Sequence, residues 1–262
     1  MPTARANGIA LNYEIHGDGE PLLLINGLAD DLTAWENQLQ DFSQRYLTII
    51  FDNRGSGGSD KPVGSYTTQQ MAADAVGLLD VLEIHQAHVL GTSMGGMIAQ
   101  ELAITFPQRV AKLILCCTCS EPSEANQRLY NFWEIAAREL GLEELMREVM
   151  LWCFTAEYFQ TRQVEAMVTE RGFAGIAQPL EAYLSQLHSL QVHNATARLR
   201  NITAPTLILG APRDLLFPPN QSEQIHAGIS NSTLWFTAHG GHSYRREVPE
   251  EFNNAVLRFL AP

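Results

Sequence analysis

Gly91-Thr92-Ser93-Met94-Gly95-Gly96 lies between two segments of different character. Ahead of it, Gln86-Ala87-His88-Val89-Leu90 is a short apolar run. Behind it, Met97-Ile98-Ala99-Gln100-Glu101-Leu102-Ala103 has helical character and stops before Pro107. The order is strand, tight turn, helix. G-x-S-x-G at such a junction is a nucleophile elbow, a sharp turn that lifts one hydroxyl clear of the sheet edge. The glycines let strand and helix pass close to Ser93 without a side-chain clash. Ser93 then stands at a helix N-terminus, where free N–H groups favour developing negative charge. The bare pattern arises by chance in roughly one chain of this length in ten, so its weight depends on the residues around it.

Working outward, Pro21-Leu22-Leu23-Leu24-Ile25 and Tyr46 to Phe51 are continuous apolar runs, as expected of strands buried on both faces. Val110 to Cys116, Thr206 to Gly210 and Thr233 to Phe236 add three more. Ile9 to Ile15 alternates apolar and polar residues and predicts an antiparallel edge strand. Helices are predicted near Thr33 to Arg45, from Thr67 or Thr68 to Leu82, over Pro219 to Gly228 and over Pro249 to Leu260. Strands alternating with helices imply an α/β fold whose central sheet is mostly parallel and covered on both faces. Such sheets place their sites beyond the carboxyl ends of the strands. Asn26-Gly27-Leu28, Ser93, Asp214 and His242 each follow a predicted strand.

Those positions suit acyl transfer. A serine hydroxyl needs a base, and an imidazole accepts and returns a proton near neutrality, which makes His242 the candidate. Asp214 is the candidate orienter of that imidazole. Two alternatives stay open: Asp214 as the cap of the next helix, and His239 as the base. The backbone N–H groups of Met94 and Leu28 are the candidate oxyanion donors, with Gly27 permitting close approach. The loop Asp52-Asn53-Arg54-Gly55-Ser56-Gly57-Gly58-Ser59-Asp60 resembles a phosphate cradle only superficially. It lacks the Lys-Ser/Thr ending of a P-loop and contains no G-x-G-x-x-G.

From about Ser120 to Ala197 no strand-like run survives. The stretch is helical in pattern and rich in large apolar groups, which predicts a helical cap at 120–197 inserted into a core formed by 1–119 and 198–262. Most of its aromatics are expected to pack the insertion; a minority should line a pocket. Trp133, Trp152 and Phe154, with Asn26 from the core, are the candidate substrate-binding residues. Arg128, Arg138, Arg147, Arg162 and Arg171 are either solvated or available for a substrate carboxylate.

The net charge of −12, from 17 basic and 29 acidic residues, argues against nucleic acid or an anionic membrane as the main partner. No apolar run approaches the length of a membrane span, and the first residues lack the apolar stretch of a secretory signal, so a cytoplasmic protein is expected. Cys116, Cys117 and Cys119 are bunched, but adjacent residues on a strand point to opposite faces, so buried reduced thiols are expected rather than a metal site. No cofactor is expected, and a homodimer stays open.

Taken together, these residues resemble the α/β-hydrolase superfamily over essentially the whole chain. The resemblance rests on Asn26-Gly27-Leu28, the Asp52 to Gly57 loop, Gly91 to Gly95, Gly210 with Asp214, and Gly241-His242. It implies a Ser93–Asp214–His242 triad under a helical cap. Within the superfamily the chain is similar to small bacterial carboxylesterases, 3-oxoadipate enol-lactonases, aminoacrylate hydrolases and cofactor-free perhydrolase-type esterases. It departs from the common His-Gly at the oxyanion turn, where Asn26-Gly27 stands instead. The implied function is a serine hydrolase cleaving a carboxylic ester or lactone of a small to medium apolar substrate through an acyl-enzyme. A C–C bond or amide-type hydrolase on the same triad is the nearer alternative. A non-catalytic small-molecule receptor is the more distant one, since fold does not fix function.

Overall fold

A computed structural model describes residues 2–161 and 178–261. Eight strands, β1 (Thr3–Ala6), β2 (Ile9–His16), β3 (Glu20–Ile25), β4 (Tyr46–Phe51), β5 (Ala87–Thr92), β6 (Val110–Cys116), β7 (Thr206–Gly210) and β8 (Ser232–Phe236), make one sheet. Their order is β1-β2-β4-β3-β5-β6-β7-β8. β1 pairs antiparallel with β2, and β2 with β4; every later pairing is parallel.

Alternation along the strands divides the core between two faces. Leu23, Ile25 and Val89 point to one side, where they meet Met71 and Leu78 of α2 (Thr68–Val81) and Met97 and Leu102 of α3 (Met94–Thr105). Leu22, Leu24 and Leu90 point to the other, against Phe42 of α1 (Glu36–Phe42) and Phe252 and Val256 of the last helix, Pro249–Leu260. Thr67 caps α2 by accepting the N–H of Gln70.

The register sets the strand ends level. Ile25 pairs with Gly91, Thr92 with Cys116, Cys116 with Leu209, and Gly210 with Phe236. The segments that follow β3, β5, β6, β7 and β8 therefore all leave the sheet along one edge. Between β6 and β7 the described chain contributes helices only: α4 (Glu124–Leu140), α5 (Leu142–Cys153), α6 (Ala156–Gln160) and α7 (Leu180–Gln191), then a 3₁₀ turn over Thr196–Asn201. α8 (Pro219–Gly228), α9 (Tyr244–Glu247) and α10 (Pro249–Leu260) complete the chain. No helix among the described residues is long and apolar enough to cross a membrane.

Two expectations change. The Ile9 strand is not the edge, because β1 pairs outside it from Ala6 opposite Ile9. The turn between them is Asn7-Gly8, with φ of 47° and 83°; Asn-Gly is the strongest short hairpin signal a sequence carries. The helix expected over Thr33 to Arg45 is split into a 3₁₀ turn, Leu32–Trp35, and the short α1. Asp31 caps the turn by accepting the N–H of Thr33.

The loop after β4 is a structural tie. Asp52 accepts from the N–H groups of Leu32 and Gly58 and from Asn12 Nδ2, each at 2.7 Å. Arg54 makes a bidentate pair with Asp74 at 2.5 and 2.6 Å, both side chains buried.

Candidate active site

Ser93 follows β5 and precedes α3 with φ 57° and ψ −121°, a backbone conformation an L-residue holds only under compulsion. The compulsion comes from both sides of its own peptide units. Its N–H donates to Cys116 O at 2.9 Å, and its carbonyl accepts from Gly96 N at 2.9 Å and Thr118 Oγ1 at 2.8 Å. The neighbouring glycines are sterically obligatory. A Cβ on Gly91 would lie 2.1 Å from Gly95 O, and one on Gly95 would lie 2.1 Å from Ile25 O. Strand, helix start and the end of β3 thus touch through hydrogen atoms alone.

The turn after β3 lies against the serine: a Cβ on Gly27 would be 3.4 Å from Ser93 Cβ. Leu28 borders the cavity over Ser93. Met94 is the first residue of α3, so its N–H has no acceptor within the helix.

Asp214 lies just beyond β7. Its Oδ1 accepts from the N–H groups of Leu216 and Phe217, each at 2.9 Å, which closes a turn before α8 rather than capping that helix. His242 Nδ1 is 3.0 Å from Asp214 Oδ2 and 3.2 Å from Oδ1. A carboxylate only accepts, so Nδ1 carries the hydrogen and Nε2 is left for another partner. Both side chains are buried, and the Phe217 ring lies 5.4 Å from the imidazole. His239 is exposed and borders a separate hollow with Arg213 and Thr155.

The loops carrying Asp214 and His242 are tied to the helices inserted between β6 and β7. Asn126 of α4 donates from Nδ2 to Leu216 O at 2.7 Å and accepts from Gln221 Nε2 at 2.9 Å. On the histidine side, Ser243 N donates to Cys153 O at 2.8 Å. Glu247 accepts from Gly241 N at 2.9 Å and from the hydroxyl of Thr155.

Ser93 and His242 border one cavity of about 230 Å³. Its wall from the inserted helices includes Trp133 on α4, Met146 and Val149 on α5, and Phe154 just after it. Of the four candidate substrate-binding residues, Trp133 and Phe154 are therefore on the wall and two are elsewhere. Asn26 is fully buried outside it, its Nδ2 donating to Phe51 O and its backbone carbonyl accepting from Asn53 Nδ2. Trp152 is 40% exposed. The cavity-facing stripe of α5 is Met146, Val149, Met150 and Cys153, and Trp152 lies about a third of a turn off it.

Sequence reasoning overlooked several wall residues. Asp30, Arg245 and Arg246 bring charge to the side formed by the core. Arg245 is held by Ala34 O, by Asp30 Oδ2 at 3.1 Å and by the Trp35 ring at 5.0 Å, and burial lowers its pKa. Arg246 lies 3.7 Å from Glu36. Tyr130, Tyr183 and Phe217 were likewise not assigned to the site; nothing in their spacing separates them from ordinary helix and loop packing. Cys117 also borders the cavity, but burial, with Asp214 nearby, pushes its thiol well above the ordinary range, which keeps it protonated. The arginines of α4 and α5 face solvent, paired as Arg128–Glu124 at 2.8 Å, Arg138–Glu134 at 3.1 Å and Arg147–Glu143 at 2.9 Å. Arg162 and Arg171 lie outside the described residues.

A strained serine at a strand-to-helix turn, over a mostly parallel sheet, with Asp and His on the same edge, defines a class. The chain belongs to the alpha/beta hydrolase fold family, whose pattern it matches over residues 20–244. Among individual relatives, 3-oxoadipate enol-lactonase 2 of Acinetobacter baylyi is 32% identical, over 97% of this chain and 94% of that one. A Caulobacter vibrioides protein named as a carbamate hydrolase is 30% identical over 95% of each. The crystal structure of the enol-lactonase from Burkholderia xenovorans superposes with a TM-score of 0.92 at 28% identity, covering 99% of both chains.

Proposed function

We propose that the protein is a serine hydrolase that cleaves a carboxylic ester or lactone through an acyl-enzyme. Ser93 Oγ attacks the carbonyl carbon while His242 Nε2 takes its proton. The tetrahedral oxyanion is received by the N–H groups of Leu28 and Met94. Collapse expels the alkoxide, which leaves with the proton from His242. Water then attacks the acyl-enzyme with His242 again as base, releasing the acid and restoring Ser93. Asp214 keeps His242 in the tautomer that presents Nε2 and stabilises the imidazolium. The observation that carries this reading is the 3.0 Å Asp214–His242 contact beside a cavity that Ser93 also borders. The 120–197 insertion acts as the cap, and its apolar wall, with Trp133 and Phe154, favours a small to medium apolar group.

The test is hydrolysis of p-nitrophenyl acetate, butyrate and octanoate by wild type and Ser93→Ala. Loss of a triad nucleophile costs on the order of a millionfold in kcat. Activity that survives the substitution removes Ser93 from the mechanism. A second reading keeps the same three residues and changes the bond to a carbamate or amide, favoured by the relatives named as carbamate hydrolases. A phenyl carbamate hydrolysed faster than the matched phenyl ester would select it.

A further inference from the structure

The turn that carries Leu28 is held at both ends. Its start is tied to the core, where Asn26 O accepts from Asn53 Nδ2 at 3.0 Å. Its end is tied to the insertion: Ala29 N donates to Oε1 of Gln186, on α7, at 3.2 Å. Ala29 has φ 60°, in the left-handed region that a non-glycine residue enters only at a cost. Such a conformation persists where its surroundings compel it. Gln186 is fully buried, and its amide is fully used. Oε1 also accepts from Gln178 Nε2 at 2.9 Å, while Nε2 donates to Arg54 O at 2.7 Å and to Ser56 Oγ at 2.9 Å. Two accepted and two donated bonds exhaust what a primary amide offers. The same partners fix which way round it lies. Turned over, it would set its NH2 against Ala29 N–H and its oxygen against Arg54 O. Gly27, Leu28 and Ala29 border the cavity; Gln186 stands behind them and does not.

We propose that Gln186 is a positioning residue for the oxyanion. By holding Ala29 N–H it fixes the peptide that follows Leu28, while Asn53 fixes the carbonyl of Asn26 on the other side. The Leu28 N–H lies between these two anchors. Its direction is thereby set before substrate arrives, and a donor set in advance needs no reorganisation when charge develops on the carbonyl oxygen. The inference rests on the serine-hydrolase reading and deepens it. The insertion supplies, through α7, an anchor for the oxyanion turn as well as a wall for the cavity. Gln186 touches no reacting atom; it acts through Ala29.

The probe is butyl trifluoromethyl ketone, with the corresponding secondary alcohol as its partner. Ser93 Oγ adds to the ketone carbon, the π electrons move onto oxygen as an oxyanion, and the serine proton passes to His242 Nε2. No bond to a leaving group breaks, so the adduct stays. The alcohol has nearly the same shape and cannot form it. Fluorine NMR measures both affinities in wild type, Gln186→Met, Gln127→Ala and Ser93→Ala. Gln127 donates to Gln191 O at 2.7 Å, so its loss loosens α4 from α7 without reaching the turn. Removing one oxyanion donor costs roughly a hundred- to a thousandfold; a misaimed one in Gln186→Met is expected to weaken the ketone about tenfold or more and leave the alcohol within about twofold. Gln127→Ala should bind the ketone as wild type does. Equal weakening of ketone and alcohol, no weakening of either, or an equal loss in Gln127→Ala overturns the proposal. Gln186→Asn, which withdraws the oxygen by one methylene, takes the same test should Gln186→Met fail to fold. Failure of the serine reading looks different: wild type then binds the ketone no better than Ser93→Ala, and the role of Gln186 falls with it.

Discussion

At the scale of single residues, the elbow depends on what is missing as much as on Ser93 itself. Gly95 stands where a Cβ would meet two backbone carbonyls, Ile25 O at 2.1 Å and Asn26 O at 2.6 Å. Backbone cannot step aside as a flexible side chain can. Gly95→Ala is therefore expected to destabilise the protein by at least about 1–3 kcal/mol, the usual cost of overpacking. At about 2–4 °C per kcal/mol for a chain of this size, the loss is visible in a thermal melt. The substitution also pushes on the turn that carries Leu28, so kcat should fall further than the loss of folded protein explains. An unshifted melting temperature would mean that β3 and α3 can separate without cost. Ser93 and its glycines were legible in the sequence because the elbow is local: strand, turn and helix are contiguous. Tyr183 was not, since its place on the cavity wall depends on how α7 packs, which its own neighbours do not encode.

Among elements, the decisive contacts run between α4 and the acid loop. Asn126 is buried and satisfied on both ends of its amide, by Leu216 O and Gln221 Nε2. Leu216 in turn donates to Asp214 Oδ1. Asn126→Ala leaves Leu216 O without this donor and Gln221 without this acceptor, which is expected to cost about 1–3 kcal/mol. It also frees the loop that orients Asp214, so kcat should drop more than KM rises. Asn131→Ala, at an exposed position of the same helix, serves as the control and should leave both constants near wild type. Equal effects from the two substitutions would place no special tension on the acid loop. Most strands were legible because parallel strands buried on both faces read as unbroken apolar runs, as Tyr46–Phe51 and Thr206–Gly210 do. β1 was not, because Thr3–Ala6 buries only two alanines and its signal lay in the Asn7-Gly8 turn instead.

At the scale of the whole molecule, stability carries a pH signature from one buried histidine. His193 links α7 to the segment returning to the core, with Nδ1 3.0 Å from Thr68 Oγ1 and its side chain fully buried. Glu101 lies 3.7 Å away, but its carboxylate is engaged by Arg198 at 2.6 Å and by Gln69 at 2.8 Å. Burial, with the Arg198 charge adding to it, pushes His193 down to about 3 from the ordinary 6.5. Between those values the unfolded chain binds the proton more readily than the folded one. Stability is therefore fully present above pH 6.5 and is lost as pH falls toward 3, by at most about 1.4 kcal/mol per pH unit from this group. Melting curves from pH 7 to pH 4.5 should show wild type losing more than His193→Gln. Parallel curves would remove His193 as the cause. The common edge on which Ser93, Asp214 and His242 emerge was legible because each follows a strand in a chain of alternating strands and helices. A pocket lined by a few of the insertion's aromatics was legible as well, but most of its wall was not, because helices from the insertion and turns from the core meet to form it.

The ties from α4 to the acid loop and from the end of α5 to the histidine loop bear on how such a protein can be rebuilt. An insertion between two strands looks like an exchangeable module, to be cut out and replaced by one with a different wall. Here the graft boundary passes through the loops of Asp214 and His242. A foreign insertion would need its own counterpart of Asn126 against Leu216, and of Cys153 and Thr155 against Ser243 and Glu247. Shuffling that preserves only the strand ends would deliver a folded core whose Asp214 and His242 loops are unmoored. New wall residues are better introduced one at a time, on the inward stripes of α4 and α5, with those anchors left in place.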